Sequence, residues 1–436
     1  MLIPESKIDE VRRSIDIVDV ISDYVKLLPS GRNYKALSPF TNEKTPFFYV
    51  SPEKQIYKCF SSGKGGNTFT FVMEMEKLGF IDAVKYVAKR AGIDLSEYER
   101  AASPEISKKE LTQYEVLTWA ARFFHNALNT PEGKECFDYL RDRGLFPETI
   151  SHFGIGYAYD DWDRLHHEAE KENIPVDILN ELGLVSHSEK ADKYYDTFRG
   201  RAMFPVFSTA GKVVGFGGRI LTGQKNTPKY INSPESKLYE KSKLLYAMNF
   251  AKDDIRRQDE AILVEGYMDV VSLHQAGLKN VVASSGTSLT PEQAKLIGRF
   301  TKNVVFIYDG DSAGIKAMMR GIDILLEQGL TPSIVSLPGD KDPDSHVLEV
   351  GGDMFRKYIQ DHKTSFLDFK ITVLKESEGF ETPDKSADSI KELVGTITKI
   401  RDELEREVYL KTLANKIDIS FGTLQKEAEN LLGRIK

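Results

Sequence analysis

Apolar residues recur at Ile8, Val11, Ile15, Val18 and Ile21, the spacing of one helix face, and predict a helix over 8–25. Short strand-like pieces follow at 34–37, 47–50 and 56–60, separated by Pro, Asn, Ser and Gly. Residues 80–91 return to a helical pattern, and residues 100–109, small, polar and Pro-containing, read as a linker. Leu117, Ala120, Ala121 and Phe124 give 111–127 an apolar helix face, and strand-like stretches come next at 202–207 and 212–216. From 259 the pattern alternates. Apolar runs at 261–264, 280–283, 304–308 and 333–337 predict four buried strands with helices between them, hence a mainly parallel sheet. One of those helices has a marked start, with Thr290 as N-cap, Pro291 at the first position and Gln293 completing a capping box. From 366 the chain reads as helical, with Ile390, Leu393, Val394, Ile397, Ile400 and Leu404 expected to face a core.

Length and composition narrow the class. At roughly 150 residues per domain, 436 residues suggest about three domains. Ordinary apolar and charged content rules out a collagen-like or wholly disordered chain. No apolar run approaches the roughly 18 residues of a membrane span, and the start does not read as a secretory signal. Two cysteines, Cys59 and Cys136, cannot form a disulfide framework, so a cytoplasmic location without a membrane partner is expected. The net charge of −7 excludes a uniformly basic nucleic-acid coat but not a local basic track.

Acidic groups sit just after predicted strands: Glu265 with Asp269, then Asp309-Gly-Asp311, then Asp342-Pro-Asp344. Ligands of open parallel sheets bind at the carboxyl ends of the strands, so these acids are expected to meet although they span 80 residues of sequence. Solvated turn acids are the plain alternative for any one pair. A gathered cluster repels itself unless it holds cations. Carboxylates with substrate phosphates are the usual partners of Mg²⁺, and two such ions suit phosphoryl transfer.

Residues 199–243 hold nine Lys/Arg against Glu235 and Glu240, a local charge of +7, with Tyr, Asn and Ser interleaved at Lys229-Tyr-Ile-Asn-Ser233. That mixture suits phosphate contact combined with base or sugar contact. A solvated charged face is the alternative. Residues 26–64 are also locally basic, with seven Lys/Arg against Glu43 and Glu53.

Glu265-Gly-Tyr-Met-Asp269, Asp309-Gly-Asp311 and Asp342-Pro-Asp344 together resemble the Toprim signature of the bacterial replicative DNA primases, the DnaG family. Arg199-Gly-Arg-Ala-Met-Phe-Pro205, Gly215-Phe-Gly-Gly-Arg219 and Pro228-Lys-Tyr-Ile-Asn-Ser-Pro-Glu235 resemble that family's basic core motifs. The resemblance implies an α/β multidomain fold. Its expected parts are a small β-rich zinc-ribbon-like N-terminal domain (1–100), a mixed α+β basic core (110–255), a Toprim parallel α/β sheet (256–345) and a C-terminal helical bundle (346–436). It implies a nucleotidyltransferase, a DNA-directed RNA polymerase that lays down short RNA primers on single-stranded DNA from ribonucleoside triphosphates. Glu265, Asp309 and Asp311 are the implied catalytic carboxylates and ligands of Mg²⁺ (Mn²⁺ being the alternative), with Asp269, Asp342 and Asp344 supporting a second ion. Arg143, Arg199, Arg201, Arg219, Lys229, Tyr230, Asn232 and Lys241 are implied to bind nucleotide and template.

Two departures from the family's pattern shape further expectations. The family's four zinc ligands fall here on Ser38, Thr41, Cys59 and Ser62, and no His occurs in the first 100 residues. A structural zinc site uses four N or S ligands, so a degenerate ribbon is expected, without zinc and held by Phe40, Phe47, Tyr57, Phe60 and Phe69. Gly63 to Asn67 lacks phosphate-loop spacing and is expected to be a hairpin turn. The replicative helicase is a partner in the family, but its docking domain is expected to be absent from this chain, either because the chain that stops at Lys436 is a fragment or because the natural protein lacks it, and a monomer is expected. The alternative functions are another Toprim phosphotransferase and a degenerate paralogue that binds single-stranded DNA without making primers.

Overall fold

Asp16 divides the first predicted helix. Its carboxylate accepts the N–H of Val18 at 2.8 Å and restarts the chain as a second helix, so α1 (Glu5–Arg13) and α2 (Ile17–Ser22) replace one continuous element. The computed structural model describes residues 5–435 except 42, 44, 77, 79, 94, 96–111, 222–226, 287, 309–311 and 340; the predicted linker lies outside the described residues. Residues 1–109 and 110–436 form two compact units.

In the first unit, β1 (Leu28–Ser30), β2 (Asn33–Ala36), β3 (Phe48–Ser51), β4 (Ile56–Cys59) and β5 (Gly65–Gly66) make an antiparallel sheet in sequence order. The last two strands pair as a hairpin, but its turn lies at 60–62, and Gly65–Gly66 of the stretch expected to be the turn is instead the returning strand. Strand alternation decides the core. Phe48, Val50, Tyr57 and Cys59 point inward against Phe69, Phe71 and Val72 of α3 (Thr68–Glu76), and Val84 and Val87 of α4 (Phe80–Arg90) complete it. Phe47 and Phe60, expected in that core, are 46% and 65% exposed, each being one residue out of phase with the buried face.

The second unit opens with α5 (Gln113–Ala127), capped by a Thr112–Glu115 capping box, then α6 (Lys134–Asp142) and α7 (Pro147–Phe153). An antiparallel sheet follows in the order β11–β10–β9–β6. Its strands are β6 (Gly156–Ala158), β9 (Arg201–Phe207), β10 (Val213–Ile220) and β11 (Tyr230–Asn232), and a separate hairpin, β7 (Val185–Ser188) with β8 (Lys193–Asp196), stands apart from it. The second sheet has the order β13–β12–β14–β15–β16. Parallel β12 (Ala261–Val264), β13 (Val281–Ala283), β14 (Asn303–Phe306) and β15 (Thr331–Ile334) carry β16 (Thr364–Ser365) antiparallel at one edge. Its helices include α8 (Tyr267–Gln275), α9 (Pro291–Ile297, with the predicted Thr290 capping box), α10 (Ser312–Glu327) and α11 (Pro343–Val350).

The chain closes with α12 (Phe366–Glu376), α13 (Pro383–Ile397), α14 (Glu403–Ile417) and α15 (Phe421–Ile435). Leu393, Val394, Ile397 and Ile400 are buried as predicted, but Leu404 is 71% exposed, because α13 ends and a new helix starts from its Asp402 cap, which resets the phase. The architecture is the multidomain α/β arrangement expected from the sequence. One apolar core joins Phe204 and Val206 of the antiparallel sheet to Ile262 and Val264 of the parallel one. A second joins Leu263 and Phe306 to Leu393 and Leu413 of the terminal helices. Among the described residues no helix is long and apolar enough to cross a membrane.

Candidate active site

The two sheets of the second unit meet at a cleft of about 480 Å³. Parallel strands end on the same side, which brings Glu265 and Asp269 (after β12) and Asp342 and Asp344 (after β15) to its lining. Asp309 and Asp311 lie outside the described residues. Among the described residues no group of three or more His, Cys, Asp or Glu is placed to hold a metal ion.

The acids are fixed by their neighbours. Asp269 accepts the N–H of Gly266 at 2.9 Å. Asp342 caps α11, accepting the N–H of Ser345 at 2.7 Å. Burial pushes the Asp342 carboxyl up, but the Ser345 bonds, Arg143 and Lys229 outweigh it and hold it below the usual carboxylate range. Asp344 is fully buried, pairs with Arg143, and accepts a hydrogen bond from Ser272. Both its oxygens are engaged by protein groups, so it positions Arg143 across the cleft.

The opposite wall follows the period of two of a strand. Arg219 and Tyr230 are register partners on β10 and β11, and Asn232 lies two residues beyond Tyr230 on the same face. Arg219 donates to the Tyr230 hydroxyl at 3.2 Å, and its guanidinium lies 5.3 Å from the Tyr139 ring and 5.5 Å from the Tyr230 ring. Burial pushes the Tyr230 phenol up to about 12, although Arg219 pulls it down. Tyr267, two residues after Glu265, joins the walls. Its ring stacks on Phe204 (5.4 Å between centroids), and its hydroxyl donates to Asn232 Oδ1 at 2.6 Å. Phe204, Gly217 and Asn232 are successive register partners, so this ring lies across three strands. The middle position admits no side chain: a Cβ on Gly217 would stand 2.4 Å from Tyr267 Cζ.

Of the predicted contact residues, Arg143, Arg219, Lys229, Tyr230 and Asn232 line the cleft. Lys241 stands nearby, its Nζ 3.5 Å from the carbonyl oxygen of Gly286. Arg201 does not line it. It pairs with Ile220 in the register, one residue out of phase with Arg219. Its buried guanidinium donates to the carbonyls of Gly218 (3.0 Å) and Pro228 (3.1 Å), fixing the backbone behind Lys229. Arg199 lies outside the lining, against Trp162. The sequence reading missed the loop after β13, where Ser284, Ser285, Gly286 and Ser288 line the cleft, and Arg320 of α10, which donates to Ser288 at 3.4 Å. The strand-end rule applied to the acids would have marked that Ser/Gly loop as well.

Of the four positions matched to zinc ligands, Ser38 and Ser62 both meet Cys59. Cys59 Sγ stands 3.1 Å from Ser38 Oγ and 3.2 Å from Ser61 Oγ, and Thr41 Oγ1 lies 3.0 Å from Ser61 Oγ. Burial pushes the thiol up, but hydrogen bonds from Ser38, Ser61 and Ser62 bring it down to about 7. The donors gathered here are one thiol and several hydroxyls.

Four family models match the chain: CHC2 zinc finger over residues 3–103, DNA primase catalytic core N-terminal domain over 123–252, Toprim-like over 262–347, and DnaB-helicase binding domain of primase over 367–422. The first and last of these correct two expectations. The first unit matches a zinc finger family along its length, so the degenerate ribbon and the exclusion of zinc do not stand. The strand pairing and apolar core of the first unit form with Ser38, Thr41 and Ser62 at three of the four positions and with the fourth, Cys59, buried in the core at the end of β4. The expected absence of a helicase-binding domain is overturned by the match at 367–422, over helices that the sequence reading assigned wholly to the polymerase region.

A protein named DNA primase from Halalkalibacterium halodurans is 40% identical over 437 residues, covering all of this chain and 72% of its own length. The Aquifex aeolicus primase (zinc binding and RNA polymerase domains) superposes with a TM-score of 0.64 at 35% identity, over 96% of this chain and 98% of that one. A DnaG primase catalytic domain bound to ssDNA superposes with a TM-score of 0.64 at 32% identity, over 71% of this chain and 98% of that one.

Proposed function

This chain belongs to the DNA primase family, nucleotidyltransferases of the RNA polymerase type, and we propose that its cleft extends a short RNA on a single-stranded DNA template. The observation that carries this reading is the facing of two unlike walls in one cleft, Glu265 and Asp269 on one side and Arg219 and Lys229 on the other.

In this reading Lys229 and Arg219 grip the triphosphate of the incoming ribonucleotide. The Tyr139 and Tyr230 rings support the Arg219 guanidinium, and Asn232, oriented by Tyr267, meets the sugar or base edge. Arg143, held by Asp344, adds a third cation, and Lys241 guides the template nearby. Glu265, Asp269 and Asp342 of the cleft, with Asp309 and Asp311 of the same sequence signature, offer the oxygen donors that would suit Mg²⁺ or Mn²⁺. A divalent cation bound there supplies positive charge against the α-phosphate and the leaving pyrophosphate. The primer 3′-hydroxyl attacks the α-phosphorus and gives up its proton to solvent water, the bond to the β-phosphate oxygen breaks, and pyrophosphate leaves into the grip of Arg219 and Lys229. Arg201 supports this site through the backbone and Arg199 acts outside it. The match to a helicase-binding domain supports a replicative helicase as partner, and the reading places the enzyme in the cytoplasm.

The test is primer synthesis on single-stranded DNA with four ribonucleotides and Mg²⁺, beside Glu265→Gln. Short RNA is expected from the wild type alone, with DNA binding unchanged in the variant. Equal synthesis by both would overturn the assignment of this cleft.

A further inference from the structure

Lys370 of α12 is 2% exposed, and a lysine at that depth is kept only with partners. Its Nζ donates to Asp323 Oδ1 at 2.9 Å and to Thr396 Oγ1 at 2.7 Å, and the Thr396 hydroxyl donates to the same Asp323 oxygen at 3.2 Å. Lys399, just past α13, reaches the other oxygen, Asp323 Oδ2, at 3.2 Å and Glu327 Oε1 at 2.8 Å. Three groups of the C-terminal region therefore hold one carboxylate of α10. Such a polar cluster costs desolvation that apolar side chains of the same shape avoid, so stability alone is a poor reason for it.

A second reason lies further up the same helix face. Arg320, Asp323 and Glu327 stand at i, i+3 and i+7 of α10, so they share one face. Basic and acidic residues three apart pair elsewhere in this chain. Lys7 meets Glu10 at 2.9 Å in the same order, and Arg256 meets Asp253 at 3.2 Å and Arg356 meets Asp353 at 3.1 Å in the reverse order. Arg320 and Asp323 break that habit. Asp323 turns to the lysines, and Arg320 lines the cleft, where its Nη2 donates to Ser288 Oγ at 3.4 Å. Among the described residues no carboxylate pairs with Arg320. A guanidinium beside a serine hydroxyl, with no acid to neutralise it, has donors to spare for a phosphate oxygen.

We propose that Arg320 contacts a phosphate of the bound nucleotide, and that Lys370 and Lys399 are positioning residues that keep it available by holding Asp323 away from it. This rests on the nucleotidyl-transfer reading of the cleft and adds one contact and its support. Without the two lysines Asp323 is a partly buried carboxylate stripped of its cations, and the nearest replacement is Arg320, one turn away on the same face. The C-terminal helices, none of whose residues line the cleft, thus bear on nucleotide affinity from behind it.

Extension of an annealed RNA primer by the full-length chain, with the nucleotide concentration varied, tests this beside binding of a fluorescent ATP analogue and the unfolding temperature of each variant. Arg320→Gln is expected to raise the nucleotide KM and the dissociation constant of the analogue about 10-fold at unchanged unfolding temperature. Lys370→Met combined with Lys399→Met is expected to raise both about as far. Adding Asp323→Leu is expected to return most of that loss, because the competing carboxylate is gone; a purely structural cluster predicts no such recovery. In an Arg320→Gln background the lysine changes are expected to raise KM no further. A KM that stays raised when Asp323→Leu is added, or that rises further in the Arg320→Gln background, overturns the positioning role. Wild-type KM and analogue binding in Arg320→Gln overturn the whole inference and leave the cleft reading intact. Should the double lysine change unfold the chain, Lys399→Met alone, at a partly exposed site, is expected to raise KM about 2-fold, and a wild-type KM there overturns the positioning role. If the wild-type chain neither binds the analogue nor extends the primer, the cleft reading itself fails.

Discussion

The two walls of the cleft hold their charges by different means. On the parallel-sheet side carboxylates are pinned by backbone amides, Asp269 by Gly266 and Asp342 by Ser345. On the antiparallel side a cation rests on rings, Arg219 between Tyr139 and Tyr230. An amide fixes one oxygen at one point, whereas a ring face lets a guanidinium slide without losing its support. Under the proposed function, the contrast suits acids that act at a fixed place and cations that grip a substrate whose phosphates move. Damage to the first wall is therefore expected to be abrupt and damage to the second graded.

The largest effect expected is that of Glu265→Gln, a fall in primer synthesis of about 1,000-fold or more, equivalent to roughly 4 kcal/mol in the barrier, read as single-turnover rate. A merely graded fall would erase the contrast. Next comes Arg143→Ala, which strands the buried Asp344 carboxylate. It is expected to cost about 2–4 kcal/mol of stability in denaturant unfolding, and adding Asp344→Asn should restore part of it. Gly217→Ala drives a methyl into the Tyr267 ring and is expected to cost about 1–3 kcal/mol. It also displaces Asn232, so its nucleotide KM should rise more than its Tm falls.

A smaller effect, away from both walls, is a pH dependence at His274. Burial, then His152 (5.1 Å between ring centroids) and Lys279, push its pKa down to about 4, with Asp254 acting in the opposite sense. An unfolded histidine titrates near ~6.5, so the unfolded chain takes the proton first. The contribution of this site is intact above that pH and is lost as pH falls toward about 4. The drop in unfolding temperature between neutral and mildly acid buffer is expected to shrink in His274→Phe.

The cleft's acids were legible because strand ends can be counted from sequence and parallel strands end together, as Glu265 and Asp342 show. Which arginine faces the cleft was not legible, since Arg201 and Arg219 differ by a register that only the paired strands define. Phe47 and Phe60 failed for a related reason: each adjoins another apolar residue, Phe48 and Cys59, so the sequence gives no phase, and the phase decides inside from outside. Arg320 and the loop at Ser284 carried no charge pattern of their own and became visible only when β13 came to lie beside β12. The terminal helices were read correctly as helices, while their likeness to a helicase-binding domain left no mark in periodicity.

Tyr267 lies over Phe204, Gly217 and Asn232, although it belongs to the parallel sheet's first helix. A cut near residue 255, the obvious place to separate the halves for cloning, would leave one fragment with an uncovered glycine track and the other with a bare aromatic side chain. Halves exchanged between relatives should work only when the tyrosine and its glycine travel together.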